Sequence, residues 1–105
     1  MTRERLPDAR YSETFDVVHA VDGVPGAVRV VMTVGYYPDG RPGEVFVKTP
    51  KAAATAYEAI ARDFGIAISL LLQHGVAAAT IQAAFTKEAS GKPSSLGGAI
   101  AEALT

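Results

Sequence analysis

The apolar pattern of this chain changes period once, at Pro50. Before that point, stretches of β-branched and aromatic residues alternate with polar ones and are parted by Gly- and Pro-bearing turns. After it, apolar residues recur in steps of three or four. A period near two marks half-buried strands, and a period of 3.6 marks amphipathic helices. Strands followed by helices within 105 residues predict one α+β domain. The expected architecture is an antiparallel sheet of about three strands, then a long helix packed on one face and one or two shorter helices. The expected division is an extended arm over 1–10, sheet over 11–48 and helices over 51–104.

Thr2 to Arg10 is polar, and Pro7 biases Leu6 away from helical geometry, so it reads as an arm. Tyr11 to Val21 alternates imperfectly and predicts the first strand. Val21 to Gly26 carries two glycines and a proline and predicts a hairpin connection. Val28 to Tyr37 is the clearest strand, rich in residues that favour a pleated surface. Pro38-Asp39-Gly40-Arg41 is a turn, because proline presets its backbone and Gly40 accepts positive φ. Glu44 to Lys48 makes a short third strand.

The long helix is expected from about Lys51 to His74, capped by Thr49 with Pro50 at its first position and ended by Gly75. Its apolar stripe reads Ala53, Tyr57, Ile60, Phe64, Ile68 and Leu71. The other face reads Thr55, Glu58, Arg62, Gly65, Ser69 and Gln73, with Glu58 and Arg62 in the favourable i,i+4 order. From Ile66 to Leu72 the helix is apolar almost all round, which predicts a cover on more than one side: the sheet, and either the next helix or a partner chain. That next helix is expected over Ala77 to Lys87. Ser90 to Ser95 is a polar linker, with Ser95 capping a last helix from Leu96 to Leu104.

Ten basic and eleven acidic side chains leave a net charge of −1, which argues against holding duplex DNA by charge alone. The chain has no cysteine, which removes disulfides, thiolate metal sites and thiol chemistry together. Met1 to Arg10 has no apolar core of the kind a secretion signal needs, and no run of 18 apolar residues occurs, so a cytoplasmic location without membrane partners is expected. His19 and His74 are the only histidines and lack a close-spaced acidic cluster, so neither a nucleophile–base pair nor a metal site is expected, and no cofactor is implied. The best candidates for an anion or nucleotide are Arg3, Arg5, Arg10, Lys48 and Lys51, the last in the first turn of the long helix. Candidates for a partner interface are Gly65, Ile66, Ser69, Leu70 and Gln73, where the missing side chain of Gly65 lets another backbone come close.

Four stretches, taken in order, resemble one family. They are Arg3-Glu4-Arg5-Leu6-Pro7-Asp8-Ala9-Arg10-Tyr11-Ser12; Thr33-Val34-Gly35-Tyr36-Tyr37-Pro38-Asp39-Gly40-Arg41-Pro42-Gly43-Glu44-Val45-Phe46-Val47; Lys51-Ala52-Ala53-Ala54-Thr55; and Ala67-Ile68-Ser69-Leu70-Leu71-Leu72-Gln73-His74-Gly75-Val76. Together they are similar to the TSCPD domain near the C-terminal end of adenosylcobalamin-dependent ribonucleotide reductases. The likeness runs from about Arg3 to Phe85. The Thr-Ser-Cys-Pro-Asp stretch that names the family is absent, as are the cobalamin- and nucleotide-binding barrel and its catalytic cysteines. The resemblance implies a place in deoxyribonucleotide synthesis, and a label carried over by similarity would read ribonucleoside-diphosphate reductase. That reaction runs through a cysteine thiyl radical and a reducing cysteine pair, and only cysteine offers a thiolate with a reversible disulfide couple.

Three readings follow. The first is a non-catalytic accessory or regulatory module that acts by contact with a protein of nucleotide metabolism or by homo-oligomerising. The second is a nucleotide or single-stranded nucleic-acid binder that uses the arginines and Lys48/Lys51 on phosphate, with Tyr36 and Tyr37 stacking on bases. The third is a small enzyme with Glu44 and Asp39 as acid and base.

Overall fold

The computed structural model describes residues 2–20, 26–49 and 55–105. Three strands, β1 (Ser12–His19), β2 (Val28–Tyr36) and β3 (Pro42–Lys48), form an antiparallel sheet in the order β1-β2-β3. Three helices follow: α1 (Thr55–Gln73), α2 (Ala78–Ala84) and α3 (Leu96–Ala103). This is the α+β arrangement expected, strands first and helices after. The expected cap at Thr49–Pro50, the first turn with Lys51 and Ala53, and most of the Val21–Gly26 connection lie outside the described residues.

The strands form where alternation places apolar side chains on one face. Phe15 and Val17 of β1, Val30, Met32 and Val34 of β2, and Val45 and Val47 of β3 turn inward. They meet Ala61, Ile68 and Leu72 of α1, Ile81 of α2, and Leu96, Ala99, Ile100 and Ala101 of α3. The opposite face, with Thr14, Val18, Val31 and Phe46, carries no helix of the described residues. Between β2 and β3, Pro38–Arg41 turns as expected. Gly40 has φ +94° and donates its N–H to the Tyr37 carbonyl (2.9 Å), and Asp39 accepts the Arg41 N–H (3.0 Å). β3 begins at Pro42, two residues earlier than expected, because a register shift at Gly35/Tyr36 lets Tyr36 pair with Pro42.

Helix ends follow local chemistry. Gly75, at φ +92°, donates to the Leu72 carbonyl, and Val76 donates to Leu71 (both 3.0 Å), a Schellman closure. The Ser95 hydroxyl accepts the Gly98 N–H at 3.1 Å and starts α3. α2 stops at Ala84 rather than Lys87. The Lys87 ammonium folds back onto the carbonyls of Gln82, Ala83 and Phe85 (2.7–3.1 Å) and so satisfies the acceptors a longer helix would have used. α3 lies close under α1, because a Cβ at Gly97 would stand 2.7 Å from Phe64 Cδ1.

The orientation of α1 departs from expectation. Its buried positions are Ala61, Gly65, Ile68 and Leu72, with Gln73 beside them. Ile60 and Leu71, expected in the buried stripe, are 54% and 40% exposed. The physical reason is close packing: small residues on this line let the helix come down onto β3, which large side chains would prevent. α2 does not cover the Ile66–Leu72 segment, since Ile66 and Leu70 stay 59% and 42% exposed.

Candidate functional site

The site is built where α1, β3 and the N-terminal arm converge. β3 is an edge strand, so every second residue presents its N–H and C=O outward, unpaired by β2. α1 supplies partners for two of these residues, Val45 and Gly43. Ser69 Oγ accepts the Val45 N–H (2.8 Å) and donates to the Gly65 carbonyl (2.7 Å). Gln73 Nε2 donates to the Gly43 carbonyl (2.9 Å). Gly65 is the point of closest approach: a Cβ there would lie 3.0 Å from the Val45 carbonyl oxygen. Three of the five expected interface residues, Gly65, Ser69 and Gln73, are therefore consumed inside the chain. The backbone that Gly65 admits is β3 of its own sheet.

The arm is held by the same residues. Gln73 accepts the Glu4 N–H on its backbone carbonyl (2.7 Å) and the Arg3 Nε–H on its side-chain oxygen. Tyr37, almost fully buried, donates its hydroxyl to the Glu4 carbonyl (2.6 Å). Arg41 lies 4.7 Å over the Tyr37 ring and reaches the Glu4 carboxylate (3.1 Å). Arg10 pairs with the Glu44 carboxylate through Nε and Nη2, and it donates to the Pro7 carbonyl (2.6 Å). Gly35 makes room for that carboxylate, since a Cβ there would stand 2.7 Å from Glu44 Cγ.

These contacts redistribute the anion candidates. Arg3 and Arg10 are engaged with Gln73 and Glu44, and the Glu44 hydrogen bond raises the Arg10 pKa. Arg5 is exposed on the arm. Lys48 lies on the open face at the end of β3, and Lys51 is outside the described residues. Arg3, Arg5 and Arg10 line one hollow at the arm, shared with the carboxylates of Asp8 and Glu44, and Lys48 does not line it. Tyr37 is not free to stack a base, because its ring is buried beneath Arg41 and its hydroxyl is tied to Glu4. Tyr36 leans on Tyr11 (centroids 5.7 Å apart) and donates to Glu13 (2.9 Å). Burial raises the pKa of both Tyr36 and Tyr37. Asp39 and Glu44 are bound to Arg41 and Arg10, and the Arg41 hydrogen bonds hold Asp39 below the ordinary carboxylate value. They form no acid–base pair.

What stays outward is apolar with a basic rim. Ile66 and Leu70 stand beside Phe46, itself 61% exposed, across a groove of about 370 Å³ that Arg3 and Arg62 also line. A second hollow, with Val31, Lys48 and Arg62, continues it over the open face of the sheet. Phe46 and Arg62 were not among the expected interface residues. Phe46 sits on the outward phase of a strand, and only the fold brings it next to α1.

The sequence model of the TSCPD domain matches residues 10–105. The chain belongs to the TSCPD domain family. This TSCPD chain is 43% identical over 74 residues to a vitamin B12-dependent ribonucleotide reductase of Rhodopirellula baltica (70% of this chain, 6% of the relative). It is 39% identical over 74 residues to that of Bradyrhizobium diazoefficiens (70% and 5%) and 38% identical over 84 residues to that of Agrobacterium fabrum (80% and 6%). The chain thus spans only about one-twentieth of the length of the curated relatives it matches. No solved structure matches it. No group of three or more His, Asp or Glu side chains suited to a metal occurs among the described residues of the TSCPD domain, and no described helix is long and apolar enough to cross a membrane.

Proposed function

We propose that this TSCPD domain is a non-catalytic accessory module of B12-dependent ribonucleotide reduction, working by contact with the reductase polypeptide. The observation that carries this reading is the exposed trio Ile66, Leu70 and Phe46, rimmed by Arg3 and Arg62. Exposed apolar side chains grouped around a groove with cationic borders suit a protein surface of apolar and acidic character. A chain without cysteine brings neither a thiyl radical nor a reducing pair to the reaction. The pairing of Arg10 with the Glu44 carboxylate weighs against a phosphate-binding role for that arginine.

Binding of the purified domain to purified reductase from the same organism tests this. Ile66→Glu combined with Leu70→Glu weakens binding by at least about tenfold, roughly 1.4 kcal/mol, with the fold intact, whereas Arg5→Ala leaves it unchanged. Binding that is indifferent to the double substitution removes this surface from the function. Salt-sensitive binding of deoxynucleotides or single strands that is lost in Arg5→Ala points instead to a nucleotide-binding role.

A further inference from the structure

The outer edge of β1 is where the molecule leaves its hydrogen bonding unfinished. Tyr36 donates its N–H to the Tyr11 carbonyl (3.0 Å). Carried along the β1–β2 register, this makes Glu13, Phe15, Val17 and His19 the residues that exchange hydrogen bonds with β2. Ser12, Thr14, Asp16 and Val18 therefore direct their N–H and C=O groups away from the sheet. The same alternation carried across β2 assigns outward groups on β3 to Gly43, Val45 and Val47, and Gln73 and Ser69 bind those of Gly43 and Val45. Among the described residues, no hydrogen bond reaches the outward backbone of Ser12, Thr14, Asp16 or Val18.

Open edges in stable proteins are short, bulged, covered, or marked by charged side chains, Lys above all, or by Pro. β1 is eight residues long, pairs with β2 without a bulge, and contains neither Pro nor Lys; its charges are Glu13 and Asp16, and only Asp16 is among the four outward residues. Its sequence is also compatible with itself. An antiparallel pairing centred on Phe15 sets Ser12 against Val18 and Thr14 against Asp16 of a second copy, and it alone gives all four outward residues a partner within β1. Moving the centre to Asp16 opposes two carboxylates. Moving it to Thr14 leaves Val18 unpaired within the strand. The Phe15 register places Phe15 opposite Phe15 at a non-hydrogen-bonded position, where side chains come closest. Phe15 is only half-buried in the single chain and packs against the core from the same face.

We infer that β1 pairs with β1 of a second copy of this chain about a two-fold axis at Phe15, joining the two sheets into one. This edge is the opposite one from β3 and the Ile66–Leu70 surface, so the dimer does not rest on reductase binding. Loss of one interaction with retention of the other tells the two apart.

Light scattering of the purified chain gives twice the chain mass if β1 pairs. Asp16→Pro removes an outward N–H while leaving the β1–β2 ladder in place, and it yields a monomer. Val18→Lys changes only an exposed side chain at that edge and raises the dimer dissociation constant by about tenfold or more. It keeps the test valid if the proline variant fails to fold. In this cysteine-free chain, Phe15→Cys forms an intermolecular disulfide on mild oxidation. Glu13→Cys does not, because its two copies stand roughly 13 Å apart along the strands, beyond disulfide reach. A wild-type monomer at the highest soluble concentration overturns the proposal. So does a dimer that withstands Val18→Lys while Phe15→Cys stays reduced.

Discussion

Along β3, the outward amide of Val45 and carbonyl of Gly43 are taken up by Ser69 and Gln73 of α1. Along β1, the equivalent groups of four residues meet no described partner. Both strands belong to one small sheet, and what separates them is a helix surface. α1 can lie on β3 because Gly65 and Ala61 keep its contact line thin and because two polar side chains sit at the spacing of outward backbone groups. The comparison shows that an edge is closed by fitted hydrogen-bonding groups as well as by apolar cover, and that polar residues flanking the buried line of a helix can supply those groups.

Breaking the closed edge has the largest expected effect. Gly65→Leu drives a side chain into the Val45 carbonyl and destabilises the domain by about 3 kcal/mol, seen as a lower denaturation midpoint. An unchanged midpoint would show that α1 has room to spare. Gln73→Leu comes next, costing about 2 kcal/mol, because it strands the Gly43 carbonyl and frees Arg3. Proteolysis of the arm accelerates in the same variant. Ser69→Ala leaves the Val45 N–H unpaired at about 1 kcal/mol. Equal losses for Ser69→Ala and Gln73→Leu would mean that the arm adds nothing to the closure.

The smallest effect is alkaline. Tyr36 and Tyr37 have raised pKa values in the folded state, mainly through burial. Their contribution to stability is full below the unfolded value of about 10 and falls as pH rises from there toward the folded values. Tyr36→Phe or Tyr37→Phe should therefore remove tyrosinate absorbance only from the part of the titration above the ordinary tyrosine value of about 10. Loss of absorbance at or below that pH in either variant would count against it.

Much of the fold was legible because its signals are local. The turn at Pro38–Arg41, the closure at Gly75 and the cap at Ser95 each follow from residues within a few positions of one another. The facing of α1 was not legible. A periodicity reading weighs Ile60, Phe64, Ile68 and Leu71 as the buried line; Ile68 is buried as expected, while the rest of the burial falls on Ala61, Gly65 and Leu72 because the limiting factor is distance to the β3 backbone. Of the expected interface residues, Ile66 and Leu70 are outward, whereas Gly65, Ser69 and Gln73 serve the sheet. The pairing of Arg10 with Glu44 joins residues 34 positions apart, and no local pattern announces it. Phe46 joined the surface for the same reason, brought to α1 by the closing of the sheet.

The arm's attachment to the end of α1 also bears on the order of events in folding. Arg3 and Gln73 are 70 positions apart in the chain, and the Glu4 amide reaches the carbonyl of that same glutamine. Neither contact has an anchor until β3 and the last turn of α1 stand together, and closing so long a loop earlier would cost entropy with nothing gained. The arm therefore docks after β3 and α1 have met. Slow solvent exchange at the single amide of Glu4 is the expected mark of molecules in which that meeting has taken place.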